Sequence, residues 1–317
     1  MKTGKLGAFS LLAFALIYLS GCDSLRQEVD PDRLNRESAK LVVNCFLSPQ
    51  DTVLAVKITR SQPVLGETVG FSYAGNSVND ATVTLSEGSR SATLKFDYRK
   101  GYYQAAISQL PIVTGRTYSI VVHTPAGERA EASCTVPELI LLNDILIDTV
   151  ETREYGLATK KYQARLRWRD PAGKPNYYQL AGDNEYIYQS QYWSSSTPKI
   201  PPRDTLYKSQ GNWHFDKEST STDQGRDGQD LVSVRGRLAI GYSWTNGKQT
   251  PSRPVGRLNA YLLNVDENYY RYYDAIERQS RVIDNPFAEP VPVPSNIQGG
   301  LGCFSAYNRS TLTMTLK

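Results

Sequence analysis

The sequence predicts a mainly β protein: an N-terminal immunoglobulin/fibronectin-like β-sandwich, followed by a second mostly-β domain with one α-helix. Three observations carry this. Short runs of alternating apolar and polar residues recur from Leu41 to Val136, and a period of two marks a half-buried strand. A second set of alternating runs opens at Tyr162 and closes at Leu316. Helical spacing of apolar residues is confined to residues 266–281. At 317 residues, 40% hydrophobic and 21% charged, the chain has a globular composition, and a norm of about 150 residues per domain suggests two domains. A mean hydropathy of −0.45 excludes a polytopic membrane protein.

Lys2 and Lys5 precede an apolar run over residues 7–19. A membrane span needs about 20 residues, so this run fits the h-region of a secretory leader instead. It ends in Leu19-Ser20-Gly21-Cys22, which resembles the bacterial lipobox: a branched apolar residue, two small residues, then the cysteine that is acylated before cleavage. Residues 1–21 are thus expected to be a lipoprotein signal peptide and Cys22 the lipidated residue. The alternative is a plain secreted protein with a chance cysteine. Several acyl chains, palmitate among them, at about 0.8 kcal/mol per buried CH₂ exceed the two-signal threshold for stable anchoring. Residues 22–40 are polar, contain Pro31 and lack periodicity. They read as a lipidated tether whose ends, as a flexible coil, lie about 25 Å apart. Without Lys2 and Lys5 the basic residues fall from 36 to 34 against 32 acidic ones, and no basic excess remains to attract nucleic acid.

In residues 41–137 the expected inward positions are Leu41, Val43, Cys45 and Leu47, then Leu54, Val56 and Ile58, then Ala81, Val83 and Leu85. Tyr118, Ile120 and Val122 follow, then Ala132, Cys134 and Val136. Two shorter runs, 92–96 and 102–106, flank an Arg99-Lys100-Gly101 turn. Seven such strands closed by Pro137 describe an immunoglobulin-like sandwich. Residues 61–80 form the one long irregular stretch, a length that is often functional; a mobile excursion is the alternative. Cys45 and Cys134 stand at inward positions of the first and last strands, which often lie side by side in these sandwiches. An exported compartment permits oxidation, so a Cys45–Cys134 disulfide is one expectation and two buried thiols the other.

Residues 138–317 read as a second β-rich domain. Apolar residues 139–147 lead into the clearest alternation in the chain, with Tyr162, Ala164, Leu166 and Trp168 on one face and Gln163, Arg165, Arg167 and Arg169 on the other. Asp170-Pro171-Ala172-Gly173 is a turn signal. Residues 176–181, 185–193, 230–235, 238–243 and 257–264 read as further strands, and 194–229 as loops with fragments of strand. Tyr269, Tyr272, Tyr273 and Ile276 give the helix its i, i+3, i+4, i+7 stripe near 266–281, with Asn264 or Asp266 as cap and Asn285-Pro286 as stop. Leu312, Met314 and Leu316 alternate with Thr311, Thr313 and Thr315 in a closing strand.

Several blocks then stand together. Leu41-Val42-Val43-Asn44 opens the body, and Val78-Asn79-Asp80-Ala81-Thr82-Val83 and Gly115-Arg116-Thr117-Tyr118 follow. Trp168-Arg169-Asp170-Pro171 precedes Asn176-Tyr177-Tyr178, with residues 223–229 beyond. The most specific are Asn285-Pro286-Phe287-Ala288-Glu289-Pro290-Val291 and Ser295-Asn296-Ile297-Gln298-Gly299-Gly300-Leu301-Gly302-Cys303-Phe304. Together they resemble a Bacteroidota outer-membrane lipoprotein family of unknown function (domain-of-unknown-function family 4249), over nearly all of residues 22–317. Cys303 stands where an aliphatic residue is expected, which favours a buried hydrophobe. The resemblance implies a surface-exposed outer-membrane lipoprotein, whose relatives tend to be encoded beside TonB-dependent transporters. It supplies no catalytic residue. In the same setting Asp23, Glu28 and Asp30 read either as an inner-membrane retention signal or as a surface-export signal.

The chemistry-bearing residues are sparse. His123 and His214 are distant in sequence, and no metal-ligand spacing surrounds them. Gly241-Tyr242-Ser243-Trp244-Thr245 starts like a nucleophile elbow, but Thr245 replaces the required glycine. Asp223, Asp227 and Asp230 lie on a Gly-rich turn and form a weak calcium candidate, since Ca²⁺ prefers oxygen ligands. Val234 stands where an EF-hand needs a bidentate Glu, and a solvated turn is the alternative. Tyr177, Tyr178, Tyr186, Tyr188, Tyr192 and Trp193 are the candidate binding surface, because Tyr and Trp give rigid contact area with a polar handle suited to sugars or protein partners; a partial role in the core is the alternative. Asp51-Thr52-Val53, Asp148-Thr149-Val150 and Asp204-Thr205-Leu206 resemble O-glycosylation acceptors. The expected function is therefore a non-enzymatic accessory subunit, without cofactor or metal, of a TonB-dependent transporter barrel, helping to capture glycan or peptide cargo. A free-standing glycan-binding or adhesion lipoprotein is the rival.

Overall fold

Strands form wherever the alternation predicts them in residues 41–137. The computed structural model describes residues 39–62, 76–154, 157–191, 204–245, 248–282, 289 and 291–316. The leader, Cys22 and nearly all of the tether lie outside the described residues, as do Tyr192, Trp193 and residues 285–288. The first seven strands are β1 (Leu41–Leu47), β2 (Val53–Arg60), β3 (Thr82–Glu87), β4 (Arg90–Asp97), β5 (Tyr102–Ala106), β6 (Thr117–His123) and β7 (Arg129–Thr135). β1, β2, β5 and β4 pair in that order, and β3, β6 and β7 continue the path beyond β4. β4 belongs to both groups: Arg90 to Leu94 pair with β3, and Lys95 to Asp97 with β5. The inward residues of every strand merge into one core that includes Val43, Val56, Val83, Tyr103, Tyr118 and Ile120.

The second half supplies β8 (Leu142–Glu154), β9 (Leu157–Arg169), β10 (Tyr177–Gln191), β11 (Asp204–Asn212), β12 (His214–Phe215), β13 (Thr220–Thr222), β14 (Asp230–Val232), β15 (Gly236–Arg237), β16 (Tyr242–Thr245), β17 (Lys248–Pro251), β18 (Pro254–Val265) and β19 (Leu301–Leu316). The expected faces of β9 are realised: Ala164, Leu166 and Trp168 are buried. They pack with Tyr178 and Leu180 of β10 and Leu258, Ala260 and Leu262 of β18 in a second core. The helix α1 (Glu267–Val282) starts where Asp266 caps it, its carboxylate accepting the Tyr269 N–H at 2.8 Å. Tyr269 and Tyr273 of its apolar stripe pack on Phe46 of β1, each with ring centroids 5.4 Å away.

Several expectations are corrected. The strands expected over 176–181 and 185–193 are one strand, β10. The polar residues between them are held inside the sheet: the Asp183 carboxylate accepts from Gln210, Asn259 and Tyr261, and the Asn184 side chain bonds the Ala239 main chain in both directions. β11 lies in a stretch expected to be mostly loop. Residues 238–241 are not a strand, because Leu238 and Ala239 donate their N–H groups to Tyr162 and the Asn184 side chain. The closing strand begins at Leu301, ten residues ahead of its alternating end.

That extra length of β19 decides the topology. Its first part pairs parallel with β1, Val43 against Gly302 and Cys45 against Phe304. Its second part pairs antiparallel with β18. The described residues of 40–60 and 76–316 belong to one compact unit, and β19 places Phe304 and Ala306 in the first core and Leu312, Met314 and Leu316 against the second. It also occupies the edge of β1 that β7 was expected to take. Of the two expectations for Cys45 and Cys134, a disulfide or two buried thiols, the second is the arrangement found. Both thiols are free and buried, as is Cys303 of β19, which pairs with Asn44 of β1.

Candidate functional site

Two turns and a helix start come together at one end of the second sheet. The turn after β9 begins at Asp170, which is 2% exposed. One of its carboxylate oxygens accepts the Tyr178 hydroxyl and the other accepts the Gly228 N–H at 2.7 Å. Asp223 returns the connection, accepting the Asn176 N–H at 3.0 Å. Asp227 accepts the Gly173 N–H at 2.9 Å. Buried polar groups need such partners, so the Asp-Pro turn and the acidic turn staple one another. Burial pushes the Tyr178 phenol upward, and its bond to Asp170 pushes it further.

The three carboxylates Asp170, Asp223 and Asp227 have oxygens within 4.8 Å of one another. Among the described residues they form a group of carboxylates, the donor type a hard cation takes. Asp170 and Asp227 already spend their oxygens on N–H and O–H donors, so the arrangement acts first as a hydrogen-bonded staple. Asp230, one of the three expected carboxylates, is not among them. It lies on β14 and pairs with Arg169 of β9 at 3.4 Å. Asp170 was visible in the sequence only as a turn residue, because its partner turn lies more than fifty residues away.

Beside the staple lies a cleft of about 620 Å³, bordered by Lys174, Tyr177, Asp223, Asp227, Tyr270 and Arg271. Tyr177 enters β10 between Thr222 of β13 and Val265 of β18. Tyr270 and Arg271 sit on the first turns of α1, oriented by the Asp266 cap. The Tyr177 and Tyr270 rings lie 5.2 Å apart, tilted by 31°. Burial raises both phenols, so at neutral pH they remain uncharged and free to donate or accept. Arg271 pairs with Glu267 at 2.5 Å and Lys174 with Glu138 at 3.3 Å. Exposed pairs of this kind hold weakly, leaving both cations able to turn to a ligand. The cleft can therefore hold a polar molecule with one apolar face.

Of the six aromatic residues expected to form one surface, the four that are described are divided. Tyr178 is fully buried with its ring 5.1 Å from Trp168, because period two sends it to the face opposite Tyr177. Tyr186 and Tyr188 lie nine and eleven residues along the same strand, about 30 Å from the cleft at about 3.3 Å per residue. There Tyr188 stacks on Tyr207 of β11 at 5.5 Å. Tyr270 was missed because it falls just off the apolar stripe of its helix. The other chemical candidates take structural places. Ser243 Oγ accepts the Gln189 N–H at 2.7 Å, and His123 and His214 are exposed on β6 and β12.

Residues 25–313 match the model of the family described as Domain of unknown function (DUF4249). No curated protein and no solved structure matches the chain. Of the blocks that resembled this family, Trp168-Arg169-Asp170-Pro171 opens the staple and Gly299-Gly300-Leu301-Gly302 leads into the last strand. With nearly its whole length matched, the chain belongs to the family Domain of unknown function (DUF4249).

Proposed function

We propose that this chain is a lipid-anchored, surface-exposed outer-membrane lipoprotein of the Bacteroidota, acylated at Cys22, which serves without catalysis as a binding subunit of a TonB-dependent transporter. The lipobox-like Leu19-Ser20-Gly21-Cys22 supports the anchor. The capture role rests on one observation, the open cleft with its Tyr177–Tyr270 pair and ionic rim. Its walls are strand and helix ends held by the carboxylate staple, and a preorganised site loses little on binding. Tethering raises local concentration, so weak contacts suffice for capture.

We read the first seven strands as an immunoglobulin-like sandwich. The order β1-β2-β5-β4 followed by β3-β6-β7 corresponds to strands ABED and CFG. Tyr118 near the start of β6 donates its hydroxyl to the Pro111 carbonyl at 2.8 Å and accepts the Val113 N–H at 2.9 Å, in the manner of the tyrosine corner of such domains.

Purification from native outer membranes in mild detergent tests the role. The expected result is recovery with a transporter barrel in stoichiometric amount; recovery of the lipoprotein alone overturns it. The rival reading, a free-standing glycan-binding lipoprotein, is favoured by the same tyrosine pair. Glycan-array binding that Tyr270→Ala abolishes, without a co-purifying barrel, selects it.

A further inference from the structure

We propose that the outer face of β2, β5 and β4, with the turn joining β4 to β5, rests on the anionic headgroups of the membrane that holds the chain. The identity of that membrane and the tether argument below rest on the proposed acylation; the face itself is defined by the fold. β2 buries Leu54, Val56 and Ile58, so Val53, Ala55 and Lys57 face outward. β4 buries Leu94 and exposes Lys95. Across the strands Ala55, Gln104 and Lys95 stand in one row. Extending the β2–β5 register by one residue sets Lys57 beside Tyr102, whose other neighbour is Asp97.

The turn adds Arg99 and Lys100, so among the described residues Lys57, Lys95, Arg99 and Lys100 share this region with one carboxylate, Asp97. Asp97 is directed at its own turn: it accepts the N–H groups of Arg99 at 2.9 Å and Lys100 at 3.2 Å, and the Gln104 amide at 2.8 Å. At the neighbouring strand end Asp80 is exposed, and Arg60 is neutralised by Glu128 at 2.8 Å. Between the cations the side chains of Val53 and Ala106 are short and leave a shallow hollow of about 780 Å³. At its rim Tyr98 is 78% exposed, with its ring 5.0 Å from Phe96. Tyrosine beside lysine and arginine is the composition that membrane–water interfaces select.

The direction of the chain supplies the second argument. Leu41 pairs with Arg60 and Asn44 with Lys57. The tether therefore enters β1 at the end of the sheet where Tyr98, Arg99 and Lys100 turn. As a flexible coil the expected tether would span about 25 Å, so the proposed anchor at Cys22 would favour that end over the opposite one. Each basic residue at an anionic surface strengthens binding about fivefold, and Lys95, Arg99 and Lys100 lie within one hairpin.

The test uses the chain from residue 22 with Cys22→Ser, which lacks both leader and acyl groups, and co-sedimentation with vesicles. The expected result is binding to vesicles of 30 mol% phosphatidylglycerol in phosphatidylcholine, salt-dependent and absent with phosphatidylcholine alone. Arg99→Glu/Lys100→Glu lowers binding at least tenfold, whereas Arg235→Glu/Arg253→Glu, with the same net charge on other surfaces, does not. Unchanged melting temperatures show that both variants are folded, and Lys95→Glu is the substitute if the turn variant unfolds. No binding by the parent chain, equal binding to neutral vesicles, or equal loss in both variants overturns the proposal. Acylation is read separately, from the intact mass of the native protein, so failure of the anchor and failure of the face are distinct results.

Discussion

Gly302 lies against the carbonyl oxygen of Val43, so close that a Cβ at position 302 would overlap it. Its φ of +106° is one that side-chain-bearing residues rarely adopt. The contact lies near the start of the ladder in which the last strand runs parallel to the first.

Gly302→Ala is expected to destabilise the protein by about 3 kcal/mol, through backbone strain and the clash with Val43. Gly127→Ala, at a φ of +86° but with open space around it, carries only the conformational cost of about 1–2 kcal/mol. Thermal unfolding of both variants checks the difference, at about 2–4 °C per kcal/mol in a chain of this size.

The carboxylate staple predicts that Asp170→Asn is more harmful than Tyr178→Phe. The asparagine amide can accept through one atom only, which leaves Gly228 N–H or Tyr178 O–H buried without an acceptor, at a cost of about 1–3 kcal/mol. Tyr178→Phe keeps the ring on Trp168 and the Gly228 bond, and is expected to cost about 1 kcal/mol. Urea titration of the two variants decides the order. Added Ca²⁺ is expected to leave the Asp170→Asn deficit in place, because the missing element is a hydrogen-bond acceptor.

Asp266 predicts an acid-side pH dependence of unusual sign. Burial pushes its carboxyl from 3.8 up to about 6, against the N–H groups of Tyr269, Ala306 and Asn268 that favour its charged form. The folded state therefore binds the proton more tightly than the unfolded state. Its contribution is fully present below pH 3.8 and is lost as pH rises through 6, by about 3 kcal/mol in total. Asp266→Asn retains an N-cap residue and is expected to lack this component, so the wild-type and variant stability curves should differ in slope between about pH 4 and 6 and run parallel both above and below that window. Parallel curves between pH 4 and 6 would contradict it.

Cys45, Cys134 and Cys303 are all unbonded and buried. Burial raises all three thiols, Cys303 to about 12, and the thiolate is the reactive form. Iodoacetamide is expected to leave the three unmodified in the native protein and to label all three once guanidinium unfolds it without reductant. A Cys45–Cys134 peptide pair surviving non-reducing digestion would show the bond instead.

What the sequence by itself determined is what a period or a cap can carry. The inward sets Leu41-Val43-Cys45-Leu47 and Ala164-Leu166-Trp168 were legible because alternation over a few residues is enough to define a buried face. The helix was legible from its tyrosine stripe and from Asp266. Tertiary structure alone decided which distant segments meet. The parallel pairing of β19 with β1 depends on more than 250 residues of intervening chain. The cleft depends on a turn at 170–176, a turn at 222–228 and a helix start at 267, and no local period links these three. Polar residues such as Asp183 and Asn184 read as a break because their partners lie on other strands. Burial gives them hydrogen bonds that no neighbour in sequence provides, and for that reason the site, unlike the strands, appears only in the folded chain.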